Sequence, residues 1–176
     1  MIIKQNSNKN SAGLIKPYGG ELINLMASFK EAEELKKGSF KTLNCSDRNA
    51  CDIELLLIGA FSPLSGFMSE EDYNLVVKEN RIASGLLFGL PIVMDTDRDD
   101  INPGDRALLK YKDQYLAIME IKEKWEPDKT IEAKSCYGTT SLEHPAVRMI
   151  SMERKKYYLG GSIKGLELPN RVFICQ

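Results

Sequence analysis

The sequence is poor in the residues that most metal and redox chemistry requires: 176 residues contain one histidine, four cysteines and one tryptophan. Cys45, Cys51, Cys136 and Cys175 show no Cys-x-x-Cys spacing, so neither a zinc ribbon nor a disulfide framework is predicted. They read as buried or incidental thiols. No sign of charge dominates either, because 24 Lys plus Arg stand against 25 Asp plus Glu. A protein that follows a nucleic-acid backbone gathers positive charge to release counterions, so this balance argues against such a partner. Long apolar runs are absent too. Leu55–Ile58 and Leu86–Phe88 fall far short of the ~20 residues that cross a bilayer. The opening Met1–Asn8 turns polar after Ile3, unlike a signal peptide. The expectation is a cytoplasmic protein with no membrane partner. Gly19-Gly20 and Gly160-Gly161 are isolated pairs outside any P-loop or dinucleotide fingerprint, and each reads as a turn.

What is present supports one ordinary core. Apolar residues make up 43% of the chain and charged residues 28%, a balance that suits a globular domain. The polar stretch 1–12 is expected to be a flexible arm, 13–170 the domain, and 171–176 a linker. Ser28 and Glu31 form a capping-box pattern before Phe29, Ala32 and Leu35, which predicts a helix over about 29–37. Asp52 to Ile58, closed by Gly59, predicts a second helix. Ser69 followed by Glu70, Glu71 and Asp72 predicts a third, buried through Tyr73, Val76 and Val77. Between them, Ala60–Met68 has no helical or alternating period and is expected to be an ordered loop.

The centre reads as strands. Leu90–Met94, Arg106–Tyr111, Tyr115–Ile121 and Thr130–Ala133 are predicted, with turns at Asn102–Asp105 and Lys112–Gln114. Pro145 suits the first turn of a helix running toward Lys155. Tyr157–Leu159 and Ile163–Leu168 are expected as separate closing strands. Short strands with helices concentrated early indicate a mainly β fold with peripheral helices, of the α+β class. A small closed or partly closed β-barrel would pair the sheet edges.

Candidate chemistry is sparse. His144 has no serine or cysteine tied to it by a local motif, and capping or surface hydrogen bonding is its expected role. Asp95, Asp97, Asp99 and Asp100 lack the glycine and terminal glutamate of an EF-hand and read as a solvated acidic turn. Trp125 sits among lysines and nearly as many acids, which predicts a packed indole with a charged rim.

Several segments, in order, resemble the amino-terminal region of ATP sulfurylases (sulfate adenylyltransferases). Leu14–Leu22, with its Pro17-Tyr18-Gly19-Gly20, is similar to that family's opening segment, with Tyr18 where histidine is common. Asp52–Met68 is the most specific match. Gly89–Asp95, Leu116–Ile118, Pro127–Lys129, Tyr137–Pro145 and Tyr158–Ile163 continue the likeness.

The resemblance implies a PUA-like β-barrel. It also implies a complete enzyme that joins ATP and sulfate into adenosine 5'-phosphosulfate and pyrophosphate. In that family the nucleotide and sulfate are held by a following α/β domain, through a Gln-(Thr)-Arg-Asn-Pro segment with two nearby histidines and a later Gly-Arg-Asp-His segment. Neither occurs in these residues. No catalytic, cofactor-binding or metal-binding residue is therefore assigned to this chain, and ATP and sulfate are expected as substrates of the complete enzyme only. The implied partner is the catalytic domain, in cis or as a split subunit, with a homo-oligomer as a further expectation. Phe61, Pro63, Leu64, Phe67, Met68, Tyr137 and His144 are the candidate interdomain contacts, because they join apolar or aromatic groups to rigid turns. Two other readings stand beside this one: a PUA-like RNA-binding module, and a stand-alone interaction subunit.

Overall fold

Local signals account for most of the helices. In the computed structural model, which describes residues 15–170, Ser28 Oγ accepts the Glu31 N–H and Glu31 reciprocates, opening α1 (Phe29–Leu35). Only Ala32 of its apolar set is buried, and Phe29 stands 85% exposed. β1 (Lys41–Asn44) follows. Helix α2 (Asp47–Leu57) starts earlier than the expected Asp52, because Ser46 caps it and Asn49 completes a capping box. An asparagine in the place where glutamate or glutamine usually closes the box hid that start. After β2 (Gly66–Phe67), α3 (Glu70–Glu79) begins at Ser69 as expected and buries Tyr73, Val76 and Val77.

β3 covers Met94–Thr96 rather than 90–94, so Asp95 lies within a strand. β4 (Arg106–Tyr111) and β5 (Gln114–Trp125) form the expected hairpin, with Lys112 at φ 53° in its two-residue turn. The predicted strand at 130–133 is instead part of α4 (Lys129–Tyr137). Thr130 and Ile131 favour strand by their branching, but the Asp128 carboxylate accepts both of their N–H groups at 3.0 and 2.9 Å and nucleates the helix. α5 (Pro145–Met152) carries Pro145 at its first position.

The two expected closing strands are one, β6 (Tyr157–Gly165). Its glycine pair is no turn. A Cβ on Gly160 would overlap Met68 O, and one on Gly161 would overlap Glu120 O. These positions are bare because neighbouring backbone presses on both.

The sheet order is β1-β4-β5-β6-β2, with β3 also paired to β6. β1 runs parallel to β4 and the remaining pairs are antiparallel. Among the described residues the pairings form an open path and do not close into the expected barrel; a mixed six-stranded sheet with five helices is the architecture there. α2 and α3 pack against β5, and the main core joins Ile53, Leu56, Val76, Leu109, Met119 and Tyr158. On the opposite face, Ile118 pairs with Lys164, which α1 approaches through the Glu31–Lys164 pair at 3.9 Å. β5 is thus buried on much of both faces, as its residue pattern predicts. The stretches 1–12 and 171–176, read as arm and linker, lie outside the described residues. No helix among the described residues is long and apolar enough to cross a membrane.

Candidate functional site

The loop after α2 is fixed by backbone contacts. Gly59 adopts φ 82°, and a Cβ there would come within 3.0 Å of Ile23 O. Ser62 Oγ donates to Gly59 O at 2.6 Å and accepts the Ile23 N–H at 2.9 Å, stitching the loop to residues near the start of the described chain. The Ser62–Pro63 peptide is cis. Of the candidate contact residues in this loop, Leu64, Phe67 and Met68 are buried in the domain's own core. Phe61 and Pro63 are half-buried, and Phe61 meets Phe88 edge-on at 6.1 Å between ring centres.

Tyr137 and His144 are brought together. The turn between α4 and α5, closed by the His144 N–H donating to Ser141 O at 3.1 Å, sets their rings 5.2 Å apart. His144 precedes Pro145 at the head of α5 but makes no side-chain cap, and its Nδ1 is buried without a hydrogen-bond partner. Burial raises the Tyr137 phenol above its usual range, against the opposing pull of Arg48. The expected capping role of His144 is therefore served by its backbone alone. Phe61 and Tyr137 are tied to different neighbours, and the two sets form separate features.

Asp97, Asp99 and Asp100 are exposed, as expected of a solvated acidic turn, and Asp95 departs from that expectation. Asp95 is 5% exposed. Its carboxylate accepts from Asn49 Nδ2 at 3.1 Å and the Lys155 N–H at 2.9 Å, with Arg154 Nη1 at 3.6 Å. Asp97 accepts the Lys156 N–H, Asp99 the Tyr157 hydroxyl, and Asp100 the Arg98 guanidinium. Lys124 Nζ donates to three carbonyls of the same loop, those of Arg98, Asp99 and Ile101. These carboxylates hold the loop shut.

Two polar groupings have no local signature. Between α2 and the end of α5, a cavity of about 260 Å³ is flanked by Arg48, Arg154 and Lys155 on one sign and Asp47, Asp95 and Glu153 on the other. Ser46, Asp47 and Glu153 stand exposed at its edge, and the equal numbers of each sign leave no net positive charge to seat an anion. Burial raises the Asp52 carboxyl, opposed by Arg48, whose Nε lies 3.6 Å away.

The second grouping centres on Glu132, which is 3% exposed. Its Oε2 accepts the Tyr73 hydroxyl at 3.1 Å and the Tyr158 hydroxyl at 2.9 Å. Burial, then the Glu132 charge, raises both phenols well above their ordinary range. Tyr73, Tyr158 and Trp125 pack with ring centres 5.6–6.1 Å apart, so the expected packed indole is observed. Arg154 lies over the Tyr158 ring at 5.3 Å. Such contacts join residues far apart in the chain, and only the burial of Tyr73 was readable locally. Among the described residues, no group of three or more His, Cys, Asp or Glu is placed to hold a metal ion.

Residues 15–168 match the PUA-like domain family. The chain is 43% identical over 160 residues to a sulfate adenylyltransferase of Neurospora crassa, covering 85% of this chain and 28% of that protein. It is 39% identical over 164 residues to a probable bifunctional SAT/APS kinase 2 of Sorangium cellulosum, covering 89% of this chain and 28% of the relative. Among solved structures, the hexameric APS kinase from Thiobacillus denitrificans superposes with a TM-score of 0.67 at 27% identity, over 90% of this chain and 28% of the other. The chain thus spans between a quarter and a third of these longer proteins. It belongs to the PUA-like domain family, and corresponds to the amino-terminal part of sulfate adenylyltransferases.

Proposed function

We propose that this chain is the non-catalytic amino-terminal unit of a sulfate adenylyltransferase, cytoplasmic, and built to buttress a catalytic domain that supplies the chemistry. The observation that carries this reading is the asymmetry of coverage: 85% of this chain aligns with only 28% of the Neurospora crassa relative. ATP and sulfate are then substrates of the complete enzyme. Attack of a weakly nucleophilic sulfate oxygen on the α-phosphorus needs preorganised positive charge around the phosphate oxygens. Here Arg154 is committed to Val93 O, Asp95 and Tyr158, and Lys124 to backbone carbonyls. Phe61, Pro63 and the Tyr137–His144 pair remain the candidate contacts with that domain, and Leu64, Phe67 and Met68 anchor the loop that carries Phe61 and Pro63 in the core. The hexameric state of the Thiobacillus denitrificans neighbour favours an oligomeric complete enzyme.

The test is a steady-state assay with ATP and sulfate. The isolated chain is expected to form no adenosine 5'-phosphosulfate, and a chimera joining it to the unmatched remainder of the Neurospora crassa relative is expected to form it. Turnover by the isolated chain would refute the reading.

A further inference from the structure

Six of the twelve large apolar side chains that stand exposed among the described residues lie on three short segments: Ile15, Tyr18, Leu22, Ile58, Leu87 and Leu90. Those segments are laced into one surface. The Tyr18 hydroxyl donates to Leu87 O at 2.9 Å, Gly19 lies against Pro63 and Leu86, and Leu22 lies against Gly59. Ser62 Oγ ties the middle segment to Ile23, and the half-buried Phe61–Phe88 pair packs with the same segments. Residues 58–63 and 86–90 contain no charged side chain, and the 15–22 segment carries two of opposite sign, the exposed Lys16 and Glu21. The other exposed apolar side chains, such as Phe29, Ile131 and Met152, stand beside charged neighbours on helices. Apolar surface held in a fixed shape and low in charge is what the centre of a protein interface requires.

The course of the chain names the occupant. β6 ends at Gly165, whose N–H donates to Leu25 O and whose carbonyl accepts the Ala27 N–H, each at 2.9 Å. The Leu25 N–H in turn donates to Leu57 O at 3.0 Å. The end of β6 is therefore joined through one ladder to Leu25, three residues after Leu22, and to Leu57, which immediately precedes Ile58. Residues 166–170 run on to the start of β5, where the Leu166 N–H donates to Leu116 O and the Asn170 N–H to Gln114 Oε1, so a unit tethered beyond them stays on this domain and meets its surface at an effective concentration set by the linker.

We infer that the face formed by Tyr18, Leu22, Ile58, Leu87 and Leu90 is the seat of the catalytic domain. This rests on the accessory-unit reading above and assigns the contact to a surface that adjoins Phe61 and Pro63 and is separate from the Tyr137–His144 pair.

The experiment measures binding of the 176-residue chain to the remainder of the Neurospora crassa sulfate adenylyltransferase, expressed without its matched residues, by sedimentation velocity and calorimetry. The wild-type chain is expected to form a one-to-one complex. The Leu22→Ser/Ile58→Ser/Leu87→Ser variant is expected to bind at least tenfold more weakly, about 1.4 kcal/mol, while Phe29→Ser/Met152→Ser binds as the wild type does. Circular dichroism checks that each variant folds, and Leu87→Lys alone carries the test if the triple variant does not. Equal binding by wild type and the patch variants overturns this assignment and leaves the accessory-unit reading standing. Self-association of the wild type that the patch substitutions abolish makes a second copy the occupant and also overturns it. A wild-type chain that forms no complex overturns both readings.

Discussion

Replacing Glu132 tests how the helical layer is fastened to the sheet. The Glu132→Leu variant leaves the Tyr73 and Tyr158 hydroxyls, both on residues no more than 4% exposed, without their shared acceptor. Each unsatisfied buried hydroxyl costs about 1–3 kcal/mol. Relief from burying a carboxylate offsets part of the sum, so a net loss of about 2–4 kcal/mol is expected. Glu132→Gln keeps an acceptor oxygen and is expected to lose about half as much. The decisive variant is Glu132→Leu/Tyr73→Phe/Tyr158→Phe, which removes the stranded hydroxyls along with the acceptor and is expected to return to within about 1.5 kcal/mol of wild type. Urea unfolding followed by Trp125 fluorescence suits the measurement, because this is the chain's one tryptophan and its ring touches both tyrosines. Circular dichroism supplies a second probe. A triple variant no more stable than Glu132→Leu would refute the reasoning.

Two further predictions concern titratable groups. Because burial raises the folded carboxyl of Asp52, the folded state binds its proton more tightly. The resulting stabilisation is full below the unfolded value of about 3.9 and is lost as pH rises through the higher folded value. Urea midpoints of wild type relative to Asp52→Asn should therefore increase as pH falls through that window, and a difference independent of pH would contradict the assignment. Burial also pushes the Cys45 thiol up to about 12 and the Cys136 thiol up to about 11. Alkylation near pH 8, mapped by mass spectrometry, should mark the exposed Cys51 well before either of them. Labelling of Cys45 in the folded protein at a comparable rate would count against this.

Features written within a few residues were legible. The caps at Ser28 and Ser69, the Asn102–Asp105 turn, the hairpin at Lys112 and the proline start of α5 each depend on residues within the feature itself. Features set by distant partners were not. Asp95 reads as part of a solvated run because Asn49 and Lys155, which enclose it, lie 46 and 60 residues away. The Gly160-Gly161 pair reads as a break because the carbonyls that exclude a side chain there belong to Met68 and Glu120. Thr130 and Ile131 show local preference overruled by one capping aspartate. At the candidate surface, the apolar character of Phe61 and Pro63 was visible from the start. The lacing that sets Tyr18 and Leu22 beside Leu87 appears only in three dimensions.

β6 has a consequence for how the polypeptide acquires its shape. In the sheet described for residues 15–170, β2 and β3 find their partner only in β6, which also flanks β5. A nascent chain that has emerged only as far as α5 can close the β4–β5 hairpin and add β1, yet it holds two strands with no place to go. Completion of this sheet waits on the emergence of β6, a long-range and slow kind of closure.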